Sequence, residues 1–162
     1  KLWCADITYV ATEEGWLYLA AVIDVGTRKL IGWAMGADMG RQLVLSALDM
    51  AFKRQRPAPG PIMHSDRGSQ YACKAHRRRL ARYGMVASMS RKGDCWDNAV
   101  MESFFHTLEV EHVYREFFET RVQAKSSIFE WIEVFYNRIR IHSTLGHVTP
   151  ECYERQALAM CA

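Results

Sequence analysis

A chain of 162 residues is the size of one domain and can bury roughly 70% of its unfolded surface. Hydrophobic residues make up 49% and aromatic residues 12%, which excludes a disordered chain, and no apolar run approaches the roughly 20 residues that span a membrane. The net charge of +3 is unevenly spread, with eight basic residues and no acidic one between Arg67 and Gly93. In chain order, "LWCADITYVAT" (2–12) is rich in β-branched and aromatic residues and reads as a strand; "EEG" turns it into "WLYLAAVID" (16–24), an apolar run typical of a buried strand. "KLIGWAM" (29–35) makes a third strand, completing an antiparallel meander. Residues 41–54 change period, with Leu43, Val44, Ala47, Leu48 and Phe52 on one helical stripe. "RPAPGP" (56–61) ends that helix, "PIMH" forms a short strand, and a basic helix runs from Ser69 to Tyr83. Gly84 stops it before a fifth strand, "MVASM" (85–89), and the polar loop "SRKGDCWDN" (90–98). Helices follow over 98–115 and 120–139, the second with Ile128, Phe129, Ile132, Phe135, Tyr136 and Ile139 on one face. Thr149-Pro150 begins a last short helix, with proline at the tolerated first position.

Three antiparallel strands followed by alternating helices and strands predict an α/β domain: a five-stranded mixed sheet with helices on both faces. One domain over 1–162 is expected, without internal repeats. "KLWCADITYV" has neither an apolar leader nor a cleavage site, and its near-immediate opening on a strand suggests the excised core of a longer protein. Cys4, Cys73, Cys95, Cys152 and Cys161 are odd in number and lack CxxC spacing, so a reducing, cytoplasmic setting fits better than a disulfide framework or zinc site. His142 and His147 are better read as surface or core histidines than as a metal pair.

The basic stretch includes Arg67, Lys74, Arg78, Arg91 and Lys92. It suits a polyanion such as DNA, and one solvated helix face is the plainer account. Trp96 can stack on a base or anchor its loop. Arg138 and Arg140 either complement a helix C-terminus or touch DNA. Asn98 is expected to cap the following helix, and Asp24, before Gly26, to serve a turn.

Three carboxylates carry the chemistry. Taken singly, Asp6 within the first strand, Asp66 after the fourth and Glu102 early in a helix each have an ordinary explanation: surface exposure, a cap and the helix dipole. If the first and fourth strands are neighbours, all three converge at one sheet edge. They would then repel one another unless a hard divalent cation is present. "WCADITY", "HSDRGSQY" and "DNAVMESFFHTLEVE" resemble the three acidic motifs of DDE transposases and retroviral integrases, with 35 residues between Asp66 and Glu102. The tail "YNRIRIHSTLGHVTPECY" (136–153) is similar to that of the second-frame (OrfB) transposases of the insertion-sequence family numbered three, within a C-terminal tail motif region at 145–162.

The resemblance covers essentially the whole chain. It implies a ribonuclease H-like fold, with two Mg²⁺ or Mn²⁺ ions held by Asp6, Asp66 and Glu102. It further implies cleavage at element ends to free a 3′-hydroxyl that attacks another phosphodiester. It also implies DNA and a homo-oligomer as partners, a first-frame helix-turn-helix protein or fused segment for end recognition, and a nucleoid-associated bacterial location. Two other readings stand beside it: a purely hydrolytic nuclease of the same fold, and a DNA-binding or assembly module impaired in catalysis. The last draws on one departure, since a basic residue commonly stands seven positions after the glutamate and this chain has Glu109. Tyr136, Asn137 and His142 are expected to serve packing.

Overall fold

The computed structural model describes residues 1–89 and 98–160. Its sheet has strands β1 (Leu2–Thr12), β2 (Gly15–Asp24), β3 (Leu30–Gly36), β4 (Ile62–Ser65) and β5 (Val86–Met89), in the spatial order β3-β2-β1-β4-β5. β1 to β3 form the antiparallel meander, and β4 and β5 add in parallel beside β1. The helices are α1 (Arg41–Gln55), α2 (Ser69–Ala72), α3 (Lys74–Arg82), α4 (Ala99–Glu111), α5 (Arg121–Glu130) and α6 (Pro150–Met160).

The period-two alternation of the central strands divides the core between the two faces. On β2, Leu17, Leu19, Ala21 and Ile23 join Met101, Phe104 and Leu108 of α4 and Ile128 of α5. The intervening Ala20 and Val22 join Val44, Leu48 and Ala51 of α1 on the other face. Helices therefore cover both faces, as the alternating pattern predicts. α1 lies unusually close to β3 at Gly32, where a Cβ would stand 2.3 Å from the Ala47 carbonyl oxygen.

The helices differ from the sequence expectation in three places. The basic segment is two helices, because Cys73 is extended (ψ 152°) and its Sγ accepts the His76 N–H of the next helix. α4 ends at Glu111 and passes into a 3-10 turn over Val113–Arg115. α5 opens on a capping box between Thr120 and Gln123 and widens into a π-helical stretch over Trp131–Tyr136. Along this helix Ile128, Trp131, Ile132 and Tyr136 are buried and Phe129 is exposed; the π-helical turn shifts the buried stripe so that Phe135 and Ile139 face outward. No helix among the described residues is long and apolar enough to cross a membrane.

Candidate active site

The register of two parallel strands brings the first two carboxylates together. Ala5 pairs with Ser65 as the last couple of the β1–β4 ladder. Asp6 and Asp66 each follow that couple by one residue, on strands about 4.8 Å apart. Asp6 shares the strand face of Cys4 and Val10, against which α4 packs. Its orientation is set by two donors: the Ile7 N–H reaches Oδ1 (2.8 Å) and Asn98 Nδ2 reaches Oδ2 (2.9 Å). Asn98 therefore does not cap α4 through its side chain, contrary to the sequence expectation. Its amide turns to the half-buried carboxylate, a charge-assisted bond worth more than a cap to a neutral N–H. Asn98 Oδ1 is buried and has no hydrogen-bond partner among the described residues.

Asp66 accepts the Gly68 N–H at Oδ1 (2.9 Å), and a Cβ at position 68 would stand only 3.0 Å from that oxygen. A tight carboxylate-centred turn thus replaces a helix cap. Glu102 is exposed in the first turn of α4. The three charges sense one another: burial pushes the Asp6 carboxyl up to about 6, reinforced by the charges of Asp66 and Glu102 and opposed by the Ile7 and Asn98 donors. Tyr71, buried nearby, is held above the usual phenol range by burial and then by Asp6 and Asp66. Among the described residues, no three His, Cys, Asp or Glu side chains are gathered closely enough to grip a metal ion as they stand. The donor set still suits one in kind. It is hard carboxylate oxygen, and it carries mutual repulsion, since the charges of Asp66 and Glu102 both raise the Asp6 carboxyl.

The other sequence-predicted residues are dispersed. Lys74 and Arg78 are exposed on α3, on the side away from buried His76 and Leu80, and Arg67 is exposed just after Asp66. Arg138 pairs with Glu151 of α6 (3.1 Å), and Arg140 grips Glu111 through two bonds of 2.8 and 2.7 Å. These two arginines are engaged by acids away from the carboxylate trio. Arg91, Lys92 and Trp96 lie outside the described residues. Asp24 is the turn residue expected: its Oδ1 accepts the Gly26 and Thr27 N–H groups. Buried Asn137 does more than pack, bonding both the N–H and the carbonyl of Leu30 (3.0 Å each).

Glu109 does not point freely into solvent. Thr8 Oγ1, on the strand face of Asp6, donates to it (3.3 Å), as does the Tyr114 hydroxyl (3.2 Å). Thr8, Tyr71 and Tyr114 are site neighbours that sequence reasoning missed. The parity of Thr8 with Asp6 was the available signal for one of them; nothing in the sequence marks the tyrosines.

Two acids side by side just past the end of a parallel ladder, with a third on a helix packed against β1, define an integrase-type catalytic core on a ribonuclease H-like fold. Residues 1–95 match the family described as "Integrase core domain", and residues 102–158 match a second family of the same description. The chain belongs to the integrase core domain family. It is 49% identical over 162 residues to the insertion element IS600 uncharacterized 31 kDa protein of Shigella sonnei, covering all of this chain and 60% of that protein. It is 47% identical over 157 residues to the transposase InsF for insertion sequence IS3fB of Escherichia coli K12, covering 97% of this chain and 54% of that one. The chain thus spans little more than half the length of these relatives, and the insertion-sequence resemblance read in its motifs is borne out. The HTLV-2 integrase catalytic core domain, in complex with magnesium and in dimeric form, superposes with a TM-score of 0.69 at 12% identity, covering 93% of this chain and 92% of that one. At that identity the likeness concerns the fold.

Proposed function

We propose that this chain is the catalytic core of a DNA transposase in which Asp6, Asp66 and Glu102 hold two divalent ions, Mg²⁺ or Mn²⁺. The observation that carries the reading is the β1–β4 register, which sets half-buried Asp6 beside Asp66 where their charges and that of Glu102 raise the Asp6 carboxyl together with its burial. The magnesium of the similar HTLV-2 core supports it. When bound, such ions supply the positive charge that stabilises the attacking and leaving oxygens of an in-line phosphoryl displacement.

The chain's own residues do the positioning. Ile7 and Asn98 hold the Asp6 oxygens, Gly68 holds Asp66, and the first turn of α4 presents Glu102. The exposed basic side of α3, with Lys74 and Arg78, attracts the DNA backbone. In cleavage, water forms a P–O bond while the bond to a 3′ oxygen breaks, leaving a 3′-hydroxyl. In joining, that oxygen bonds to a second phosphorus while another P–O3′ bond breaks. One phosphodiester forms for each one lost, so joining needs no outside energy source. A homo-oligomer on paired DNA ends, a first-frame helix-turn-helix partner or fused segment, and action at the bacterial nucleoid complete the proposal.

A second reading, a module impaired in catalysis, draws on Glu109, an acid two strand positions from Asp6 through Thr8. Strand-transfer assays on element-end DNA separate the readings. The wild type is expected to yield joined strands, and Asp66→Asn to abolish joining while retaining DNA binding. Nicked products alone would favour the hydrolytic nuclease, and binding without any product the impaired module. Normal joining by Asp66→Asn would remove the metal assignment, which manganese anomalous density between the carboxylates tests independently.

A further inference from the structure

The tail motif is not spent on packing alone. With α4 and the β2–β3 turn it lines a cleft of about 560 Å³. Ala99, Ser103 and Thr107 give one wall, and Ser103 and Thr107 project about 100° and 140° round α4 from Glu102. The cleft is therefore on a different flank of the helix from the carboxylates. Arg28 of the turn and residues 140–144 of the tail form the other walls.

Its chemistry is one-sided. Among the described residues, no acidic side chain lines it. The acid next to it, Glu111, is already engaged by Arg140, whose Nη1 also contacts His142 Nε2 (3.3 Å). Arg28, by contrast, is half-buried, and its guanidinium has no hydrogen bond or ion pair among the described residues. The Ser143 and Thr144 hydroxyls are likewise uncommitted there.

The backbone holds Arg28 in a conformation it would not choose. Arg28 (φ 58°) and His147 (φ 60°) are two of three described non-glycine residues with positive φ, and both line this cleft. The Arg28 N–H donates to the Asp24 carbonyl (2.8 Å), while its own carbonyl accepts the Tyr136 hydroxyl (3.2 Å). A strained residue clamped on both sides, with its charge left unpaired, is the pattern of a ligand-facing position.

We infer that this cleft binds the phosphodiester backbone of DNA, with Arg28 as the charged phosphate donor and the Ser143 and Thr144 hydroxyls beside it. Arg140 acts as a positioning residue that neutralises Glu111 and orients His142. From Ala99 to Thr107 the α4 wall runs about 12 Å, enough for about two successive phosphates of one strand. A strand engaged at the carboxylates is thereby held on a second flank of the same helix. The inference rests on the DNA-processing function proposed above.

The test is duplex binding by the complete protein, followed by fluorescence anisotropy in EDTA across a salt series. Arg28→Asn keeps a residue that tolerates positive φ while removing the charge. It is expected to weaken binding roughly eightfold at 0.1 M salt, equally for all sequences, and to lower the salt slope by about one. Arg28→Lys should retain most of the affinity. Wild-type affinity and slope in Arg28→Asn overturn the inference. So does loss of inorganic-phosphate binding with DNA binding intact, since the cleft would then be a small-anion site. If Arg28→Asn melts early, the Ser143→Ala/Thr144→Ala pair takes its place, with weaker binding at unchanged slope expected and wild-type binding again decisive against. Asp66→Asn, assayed alongside for joining, reports on the carboxylates alone, so either assignment can fail separately.

Discussion

Asn98 acts through one amide bond to Asp6 Oδ2, and its replacement is the most local probe of the carboxylate site. Asn98→Ala leaves that oxygen without its side-chain donor and frees the carboxylate to rotate. Partners that orient metal-binding side chains typically change metal affinity or activity by about 10–100-fold when removed. A drop of that order in manganese affinity and joining rate is expected, and a variant equal to wild type in both would detach Asn98 from the site. Glu109 is the opposite case, an acid where the family commonly carries a base. Glu109→Lys removes a negative charge beside Thr8 and adds a positive one. Tighter duplex binding at moderate salt, with a slope steeper by about one, is expected; unchanged affinity would show that this flank of α4 does not meet DNA. Both residues stood out in the sequence. Asn98 was visible as a helix-boundary amide, but a cap and a carboxylate partner use the same residue type at the same position, and only the packing of α4 on β1 chooses.

At the scale of elements, the helix containing the π-helical stretch determines how the tail meets the sheet. With more residues per turn and so a smaller angle per residue than an α-helix, the stretch delivers Tyr136 to the Arg28 carbonyl and Asn137 to both backbone groups of Leu30. Asn137→Ala would strand a buried N–H and a buried carbonyl at the start of β3. Such groups cost about 1–3 kcal/mol each, so a loss of about 2–4 kcal/mol in urea unfolding is expected; a loss below about 1 kcal/mol would mean that water replaces the amide. The strands and most helices were legible because their period-two and period-3.6 patterns are written locally. The π-helical stretch was not, since its residues have the same helical propensities as their neighbours and widen only to fit the sheet. The break at Cys73 escaped for a similar reason, cysteine being a rare cap without a sequence signature.

For the molecule as a whole, acid should loosen the attachment of the tail. Burial, and then the charges of Arg140 and Arg28, lower the His142 imidazole from its ordinary 6.5 to about 4, with Glu111 opposing. Folding thus favours the neutral ring, and the stability this contributes is present above pH 6.5 and disappears as the pH falls towards 4. The Arg140 bond to Nε2 also requires that atom unprotonated. Glu111, lowered chiefly by its hydrogen bonds from Arg140, loses stability in the same direction as the pH falls through its own depressed range. Because His142 is partly solvated, about 1–2 kcal/mol is expected from it over that window. His142→Gln should flatten the stability profile between pH 6.5 and 4, and an unchanged profile would place the acid sensitivity elsewhere. The sequence by itself determined the order of the elements and the two-sided burial of the sheet, because periodicity is a local property, and it singled out the three acids as candidates through the resemblance of their motifs. Only the tertiary structure decided that Ala5 and Ser65 pair, setting Asp6 beside Asp66, that Asn98 serves Asp6, and that Arg28 faces a cleft built by the tail. Those outcomes depend on register and on contacts between segments distant in the chain, for which no single segment holds the information.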